Sequence, residues 1–450
     1  MTDARTIALD VLHAVETSDA YANLILPARI TEAGLDERDA ALATELTYGT
    51  LRRRRLYDVI IELAAERAVT AIDARTLDIL RLGVHQLLAM RIPAYAAVGE
   101  TVNLVRKESA RGFVNGVLRT ISRTEPEIWI ERATATAKTG EEALGIEHSH
   151  PMWIVRAFRQ VLAAEGREDE LEAALVADNV APTVSVASLP GYSDVEELVR
   201  AGARPTPHSP VGAILTGGDP LRSPPVAAGR ARVQDEGSQL AALALSRARP
   251  IEPGERWLDL CAGPGGKAAL LAAEAAIGGA ELTANELIHI RVGLVRRALK
   301  PFGDAVRIVE SDGTTFGDRE PGAYDRVLLD APCTGLGALR RRPEARWRKQ
   351  PGDVPGLGEL QSRLLDSAIA AVRPGGLVAY VTCSPHAAET RAVVSAALRK
   401  HPNVRALDTQ SVVQAVALEP LDLAPATYAQ FWPHRTGTDA MFIQLLEKQA

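Results

Sequence analysis

Residues 256–277 read RWLDLCAGPGGKAALLAAEAAI, an apolar run that passes through a glycine-rich turn into a longer, alanine-rich apolar run. The first run is short enough for a buried strand, and the second is long enough for a helix. Gly263, Gly265 and Gly266 permit a tight turn and let the backbone approach a ligand before the helix begins. The stretch therefore predicts a strand, a turn and a helix, with a candidate ligand site at the turn.

Two common nucleotide-binding motifs do not match this turn strictly. A P-loop would need a glycine at Cys261 and a hydroxyl residue at Ala268. The dinucleotide fingerprint GxGxxG, counted from Gly263, would also need a glycine at Ala268, and only its looser, alanine-ending form allows this sequence. The glycine turn alone is weak evidence for a particular ligand.

The alternation of strand and helix continues to the C-terminus. Further strands are predicted in ELTANE, AVRIVESD, YDRVLLDAP, GGLVAYVTCS and MFIQLLEK, with helical runs between them such as HIRVGLVRRALK and LQSRLLDSAIAAV. Continuous apolar strands that alternate with helices indicate a parallel, doubly wound α/β sheet. Ligands of such sheets bind beyond the carboxyl ends of the strands, near the point where the strand order reverses.

Acidic residues close successive strands of this predicted sheet. Glu286 lies about 20 residues beyond the turn, where a carboxylate can accept hydrogen bonds from both hydroxyls of a ribose. Asp312 and Asp330 end the next two strands, and Asp312 suits the adenine side of a ligand. The row fits a nucleoside cofactor without a pyrophosphate, which describes S-adenosyl-L-methionine better than NAD. For each carboxylate alone, a helix N-cap is the competing interpretation.

Two of the three cysteines follow predicted strands, Cys333 in DAPC and Cys383 in YVTCS. If these strands are neighbours, the two thiols face one another beside the cofactor. Cytosine C5 is a poor nucleophile, and addition of a thiolate to C6 makes C5 able to attack a methyl sulfonium. A base must then remove the C5 proton. The cysteine pair, with Asp330 able to bond the ring N3 in its protonated form, suits this chemistry.

The residues before the sheet divide into two further regions. Residues 1–132 are predicted to be helical, with Leu77, Leu80 and Val84 on one buried stripe and His85 packed beside it. Residues 150–228 contain a strand, a helix and a strand in TVSVASL, DVEELVRAG and VGAILTG, followed by proline-rich loops. We therefore expect a helical domain, a small α/β connector and, over residues 229–450, a catalytic domain.

Composition and charge restrict the class of protein. No run approaches the roughly 18 apolar residues of a membrane span, and three cysteines without a CxxC pair favour neither a disulfide framework nor a structural zinc site. We expect a cytoplasmic protein with no membrane partner and no metal, and the sequence leaves the oligomeric state open.

The net charge of −6 gives no global sign of nucleic acid. Locally, residues 52–55 are interpreted as a solvated arginine run, and RRRPEARWRK at residues 340–349 as a candidate nucleic-acid groove.

The motifs CAGPGGK, LLDAPCTGLGALRRRPEARW and VTCS together resemble the Nop/Sun family of RNA cytosine-5 methyltransferases over residues 229–450. RTLDILRLGVHQLL, AAVGETVNLVRK and FVNGVLR resemble a NusB-like RNA-binding domain. The resemblance implies methylation of cytosine C5 in small-subunit (16S) ribosomal RNA, with Cys383 as nucleophile and Cys333 assisting product release. It also implies that S-adenosyl-L-methionine contacts Cys261, Ala262, Gly263, Pro264, Gly265, Gly266, Lys267, Glu286, Asp312 and Asp330, with Arg291 as a weaker candidate.

Two departures from the family pattern stand out. The family often has aspartate at the position of Glu286, and the longer acid still reaches a ribose diol. The family's PEEN-like run is PHAAET here, which retains Glu389 and replaces asparagine by Thr390.

Two alternatives stay open at the level of sequence. In a DNA-type cytosine-5 methyltransferase, Cys333 would be the nucleophile. A NusB-like RNA-binding or antitermination factor would carry an inactive methyltransferase domain, although the intact CAGPGGK, DAPC and VTCS argue against it.

Overall fold

The computed structural model describes residues 3–18 and 20–449, which form two compact units. The helical unit comprises the described residues up to Arg159 together with Asp169–Ala181 and Leu339–Lys349. The sheet unit comprises Gln160–Glu168, Pro182–Ala338 and the described residues from Gln350 onward. A short segment from the C-terminal half of the sequence therefore belongs to the helical unit.

Three of the helices in the helical unit begin at capping aspartates. Asp3, Asp36 and Asp73 each accept a hydrogen bond from the backbone N–H three residues on, as good N-caps do. The helices are α1 (Ala4–Thr17), α2 (Ala22–Ala33), α3 (Glu37–Arg52), α4 (Arg54–Ala65), α5 (Ala74–Leu88), α6 (Ala94–Asn103), α7 (Glu108–Ile121), α8 (Pro126–Thr134), α9 (Gly140–Glu147), α10 (Met152–Ala164) and α11 (Leu171–Ala177).

Helix α5 is buried on every side, whereas the sequence predicted one buried stripe. Its polar residues find partners inside the bundle: Arg81 forms a bidentate ion pair with Asp58 at 2.6 and 2.9 Å. His85 Nδ1 lies 2.9 Å from the hydroxyl of Tyr57, and burial lowers the pKa of His85. His85 is thus a packed residue, as predicted.

The segment 339–349 is held in the helical unit by its arginines. Arg346 is fully buried and donates hydrogen bonds to the carbonyls of Arg52 and Asp178, both at 2.9 Å, and of Ser149 at 3.1 Å. These carbonyls lie at or just beyond the ends of α3, α11 and α9, where helices leave carbonyls without partners. One guanidinium therefore caps three helix ends. The prediction that this segment forms an exposed nucleic-acid groove is wrong for Arg346.

The arginine run at residues 52–55 is also more buried than predicted. Arg52 is 7% exposed and donates to the carbonyl of Arg340, and Arg54 pairs with Glu16 at 2.8 Å. The interpretation of this run as solvated surface is therefore wrong for Arg52. Arg53 lies in the turn between α3 and α4, and the arginines of the two helices point in different directions, so some of them must face the bundle.

The sheet unit begins with a small antiparallel sheet of strand order β2-β3-β1-β4. The strand, helix and strand that the sequence predicted within residues 150–228 are present. The domain boundaries predicted at residues 132, 150 and 228 stay predictions. The elements are β1 (Ser185–Ser188), α12 (Val195–Arg200), β2 (Arg204–Pro205), β3 (Gly212–Ile214), α13 (Pro224–Ala227) and β4 (Ala231–Val233).

The large sheet has the order β10-β12-β9-β8-β5-β6-β7, with β11 paired to β12. Its strands are β5 (Arg256–Asp259), β6 (Glu281–Glu286), β7 (Val306–Glu310), β8 (Tyr324–Asp330), β9 (Val372–Thr382), β10 (Val404–Ala406), β11 (Ala429–Gln430) and β12 (Phe442–Lys448). The remaining helices are α14 (Glu236–Ser246), α15 (Gly266–Gly278), α16 (His289–Leu299), α17 (Phe316–Arg319), α18 (Ala345–Arg348, in the helical unit), α19 (Asp353–Ala371), α20 (Arg391–Lys400), α21 (Thr409–Val416) and α22 (Pro433–Thr436).

The strand order of the large sheet confirms the predicted doubly wound α/β fold. Strands β9, β8, β5, β6 and β7 are parallel, and β12 adds an antiparallel strand beside β9. The chain winds from β5 outward through β6 and β7, then returns to the other side of β5 with β8. The order therefore reverses at β5, whose carboxyl end carries the glycine turn. In the part of the chain that the structure describes, every helix is too short or too polar to cross a membrane.

Candidate active site

The glycine turn after β5 is packed too closely for larger residues. Gly265 has a φ of +108° and precedes α15. A Cβ added to Gly265 would collide with Ala298, and one added to Gly263 would collide with the carboxylate of Glu286. Gly265 therefore cannot carry a side chain without strain, and a side chain at Gly263 would force the Glu286 carboxylate to move, because the turn packs against α16 and the end of β6.

Glu286 fastens the end of β6 to this turn. Its Oε2 accepts a hydrogen bond from the backbone N–H of Gly263 at 3.0 Å, and its Oε1 accepts one from Ile288 at 2.9 Å. Arg291 lies 3.5 Å from Oε2 and also donates to the carbonyl of Gly263. A carboxylate has lone pairs for further donors, so Glu286 could still accept hydrogen bonds from the hydroxyls of a ribose.

Asp312 has the geometry of a helix cap, the competing interpretation. Its Oδ1 accepts hydrogen bonds from the backbone N–H and the hydroxyl of Thr314, both at 2.8 Å, at the start of the 3₁₀ helix Gly313–Thr315. These bonds hold the pKa of Asp312 below its usual range. The side chain is exposed at the edge of the sheet, and its contact with adenine stays a prediction.

Lys267 forms an ion pair with Asp330 that the sequence did not predict. The Nζ atom lies 2.8 Å from Oδ2, and the lysine side chain is 11% exposed. Burial lowers the pKa of Lys267, but the Asp330 carboxylate outweighs it, so the pKa is raised overall. The glycine turn is thereby linked to the end of β8. Contact of Asp330 with a cytosine ring stays a prediction.

Asp259, the last residue of β5, is a further acidic group that sequence reasoning missed. It is 1% exposed, and its Oδ1 has no hydrogen-bond partner among the described residues. Burial, together with the charge of Asp330, raises the pKa of Asp259 to about 8. The signal in the sequence was one carboxylate inside the apolar run RWLDL.

The structure brings Cys333 and Cys383 together, with their Sγ atoms 3.4 Å apart. They meet because β8 and β9 are parallel neighbours in which Asp330 lies opposite Val381, so both loops leave the same edge of the sheet. The hydrogen bond with Cys383 and burial raise the pKa of Cys333 well above that of a free thiol. Cys261 lies apart within the glycine turn, and burial raises its thiol pKa too.

A buried carboxylate lies behind the cysteine pair. Glu389 is 0% exposed and follows β9 at the end of the 3₁₀ helix Ala387–Glu389. It accepts hydrogen bonds from Thr334, which follows Cys333, and from Ser384, which follows Cys383. The sequence showed Glu389 only as the retained acid of PHAAET, because its partner Thr334 lies 55 residues away.

Comparison with known proteins finds a family model that matches each half of the chain. The family model described as 16S rRNA methyltransferase RsmB/F matches residues 248–447, and the NusB family model matches residues 2–123. A protein of Mycobacterium tuberculosis named as a methyltransferase is 50% identical over 453 residues, which cover 99% of this chain and 96% of the relative. Ribosomal RNA small subunit methyltransferase B of Pseudomonas putida is 32% identical over 420 residues, covering 90% of this chain and 91% of the relative.

One solved structure shares the fold of nearly the whole chain, and another shares the fold of about two thirds of it. The crystal structure of PH0851 has a TM-score of 0.80 at 22% identity and covers 99% of each chain. A methyltransferase homolog from Pyrococcus horikoshii has a TM-score of 0.56 at 21% identity and covers 69% of this chain and 100% of its own.

Proposed function

Because the chain belongs to the 16S rRNA methyltransferase RsmB/F family, we propose that it transfers a methyl group from S-adenosyl-L-methionine to C5 of a cytosine in small-subunit ribosomal RNA. The observation that carries this proposal is the pair of thiols, Cys333 and Cys383, 3.4 Å apart at the edge of the sheet where the glycine turn lies. Covalent activation of cytosine needs one sulfur to attack C6 and a proton acceptor to complete the reaction.

The residues at the glycine turn fit a cationic nucleoside cofactor. Residues 261–267 would hold S-adenosyl-L-methionine together with Glu286, Asp312 and Asp330, and the glycines leave space where a Cβ would otherwise lie. Asp259, whose pKa is raised to about 8 and whose Oδ1 has no hydrogen-bond partner among the described residues, lies buried at the same edge. When bound, the cofactor supplies an electrophilic methyl group on a sulfonium.

Cys383 acts first in this proposal, as the nucleophile. Its thiolate forms a bond to C6, and the electron pair of the C5–C6 double bond shifts toward C5, which can then attack the methyl group. The ring is thus activated by a bond that must break again before the product leaves.

Cys333 acts second, in product release. Loss of the C5 proton re-forms the C5–C6 double bond and expels the sulfur of Cys383. Cys333 is protonated because its pKa is raised, and it lies within hydrogen-bond reach of the departing sulfur. It gives its proton to that sulfur and receives the C5 proton in exchange, so electrons and protons balance.

We propose that the helical unit binds the ribosomal RNA. Its match to the NusB family over residues 2–123 supports this role. The candidate catalytic and cofactor-binding residues all lie far from it in the sequence, which leaves it free for binding. The buried Arg346 takes no part, because its side chain is fully buried and its two terminal nitrogens are bonded inside the helical unit. An enzyme that modifies ribosomal RNA in a bacterium works in the cytoplasm.

The test is methyl transfer by the purified full chain. The protein is incubated with methyl-labelled S-adenosyl-L-methionine and either 16S rRNA, small subunits or single-stranded DNA of the same sequence. Nucleosides are then identified by mass spectrometry. We expect 5-methylcytidine from RNA and no label in DNA. Label at another atom or base, or label in DNA alone, contradicts the proposal.

A further inference from the structure

Glu389 lies at the junction of the two cysteine loops, and we propose that it is a positioning residue that holds both thiols at one base. This inference rests on the proposed function, since it explains how the two sulfurs are kept within reach of the same pyrimidine ring. Glu389 itself does not touch the reacting atoms. It acts through the residue that follows each cysteine.

Two sets of hydrogen bonds, which we call arms, connect Glu389 to the cysteine loops. The first arm reaches the loop of Cys333. The backbone N–H of Thr334 donates to Glu389 Oε1 at 2.7 Å, and the hydroxyl of Thr334 donates to Oε2 at 2.5 Å. Two bonds from one residue fix both its position and its orientation. Cys333 is covalently next to Thr334, so its backbone has little freedom to move away from β9.

The second arm leads to the loop of Cys383. The hydroxyl of Ser384 donates to Glu389 Oε2 at 2.7 Å, and it lies 3.2 Å from the hydroxyl of Thr334. The two arms therefore meet on the same carboxylate oxygen. Gln361 on α19 completes the set, with Nε2 at 3.3 Å from Glu389 Oε1 and 2.8 Å from the carbonyl of Pro332.

The position suits a carboxylate, because each of these neighbours donates a hydrogen bond to Glu389. Four hydrogen bonds converge on the two oxygens of a side chain that is 0% exposed. An ionised carboxylate offers only acceptors and satisfies all of them. The isosteric amide of glutamine would put an NH₂ group on one side, so the hydroxyls of Thr334 and Ser384 would have to rotate to accept from it, and the charge-assisted hydrogen bonds would be lost.

The first experiment measures the geometry without using the methylation reaction. In the full-length protein, diamide oxidises Cys333 and Cys383 to a disulfide; the two thiols give two electrons and two protons to diamide, which becomes the hydrazine. The rate is followed by mass spectrometry of the linked peptides. We expect Glu389→Gln to slow closure about tenfold, because a lost charged hydrogen bond lets the loops separate. The control Glu359→Gln, an exposed acid on α19, should close at the wild-type rate. Equal rates in Glu389→Gln and wild type overturn the proposal.

The second experiment separates the arms and does not depend on the folding of Glu389→Gln. Ser384→Ala removes a bond on the Cys383 arm, so formation of the RNA–protein adduct should slow about fivefold. Thr334→Val removes a bond on the Cys333 arm, so decay of the adduct should slow instead. Both variants should keep the wild-type KM for the cofactor. If each variant slows both steps equally, Glu389 is merely structural. A wild-type protein that closes the disulfide but transfers no methyl group would refute the proposed function and leave the positioning result intact.

Discussion

Replacement of Arg346 by alanine should loosen the segment 339–349 from the helical unit. The guanidinium makes four hydrogen bonds, to the carbonyls of Arg52, Ser149 and Asp178 and to Asn179 Oδ1. Bonds from a charged donor contribute about 1.5–3 kcal/mol each, or about 6 kcal/mol in all at the low end. Burial lowers the pKa of Arg346 to about 10, a cost of about 3 kcal/mol for the charged form. A net stabilisation of about 3 kcal/mol remains.

Hydrogen exchange of the backbone amides measures this local stability. At about 1.4 kcal/mol per factor of ten, loss of about 3 kcal/mol should speed exchange at residues 345–349 by about 100-fold. Arg342→Ala is the matched control, because Arg342 is exposed in the same segment and lies over the ring of Tyr21 at 5.9 Å. It should change exchange by no more than about fivefold. If Arg346→Ala exchanges no faster than Arg342→Ala, the buried guanidinium of Arg346 does not hold the segment in place.

Two further predictions concern the cofactor side of the site. Gly263→Ala should weaken binding of S-adenosyl-L-methionine at least about tenfold in calorimetry, because its Cβ would collide with the Glu286 carboxylate. Gly293→Ala, on α16 with an open environment, should bind normally; equal affinities would contradict the close packing of the turn. Asp259 has a folded pKa raised to about 8 against about 3.9 unfolded, so its contribution to stability is complete below about pH 4 and is lost as the pH rises toward 8. Melting temperatures of Asp259→Asn should therefore fall less than those of the wild type between pH 5 and 8, and parallel curves would show that Asp259 ionises freely.

The features of the fold that depend on local pattern could be predicted from the sequence. The run through the glycine turn predicted β5 and α15, and the strand-ending motifs placed Cys333 and Cys383 on neighbouring strands. These inferences work because apolar periodicity and glycine geometry act over a few residues. The doubly wound order then follows from general rules of chain winding.

The missed features depend on contacts between residues distant in sequence. An arginine run suggests exposed charge, yet Arg346 is buried because three helix ends, at residues far from it in sequence, leave carbonyls unpaired. Glu389 likewise gains its role from Thr334, and Lys267 from Asp330, 63 residues away. Nothing in the local sequence encodes such pairs. Asp312 shows the opposite case, since a short-range cap explains the side chain's contacts without a ligand.

A denaturing gel of two variants tests the order in which the two cysteines act. Cys333→Ala and Cys383→Ala are each incubated with ribosomal RNA and S-adenosyl-L-methionine. We predict that Cys333→Ala accumulates a denaturant-resistant RNA–protein complex that depends on the cofactor, because the adduct forms but is not released. Cys383→Ala should bind RNA and cofactor without forming the complex. An adduct that accumulates in Cys383→Ala and is absent in Cys333→Ala would reverse the roles and favour a DNA-type mechanism with Cys333 as nucleophile.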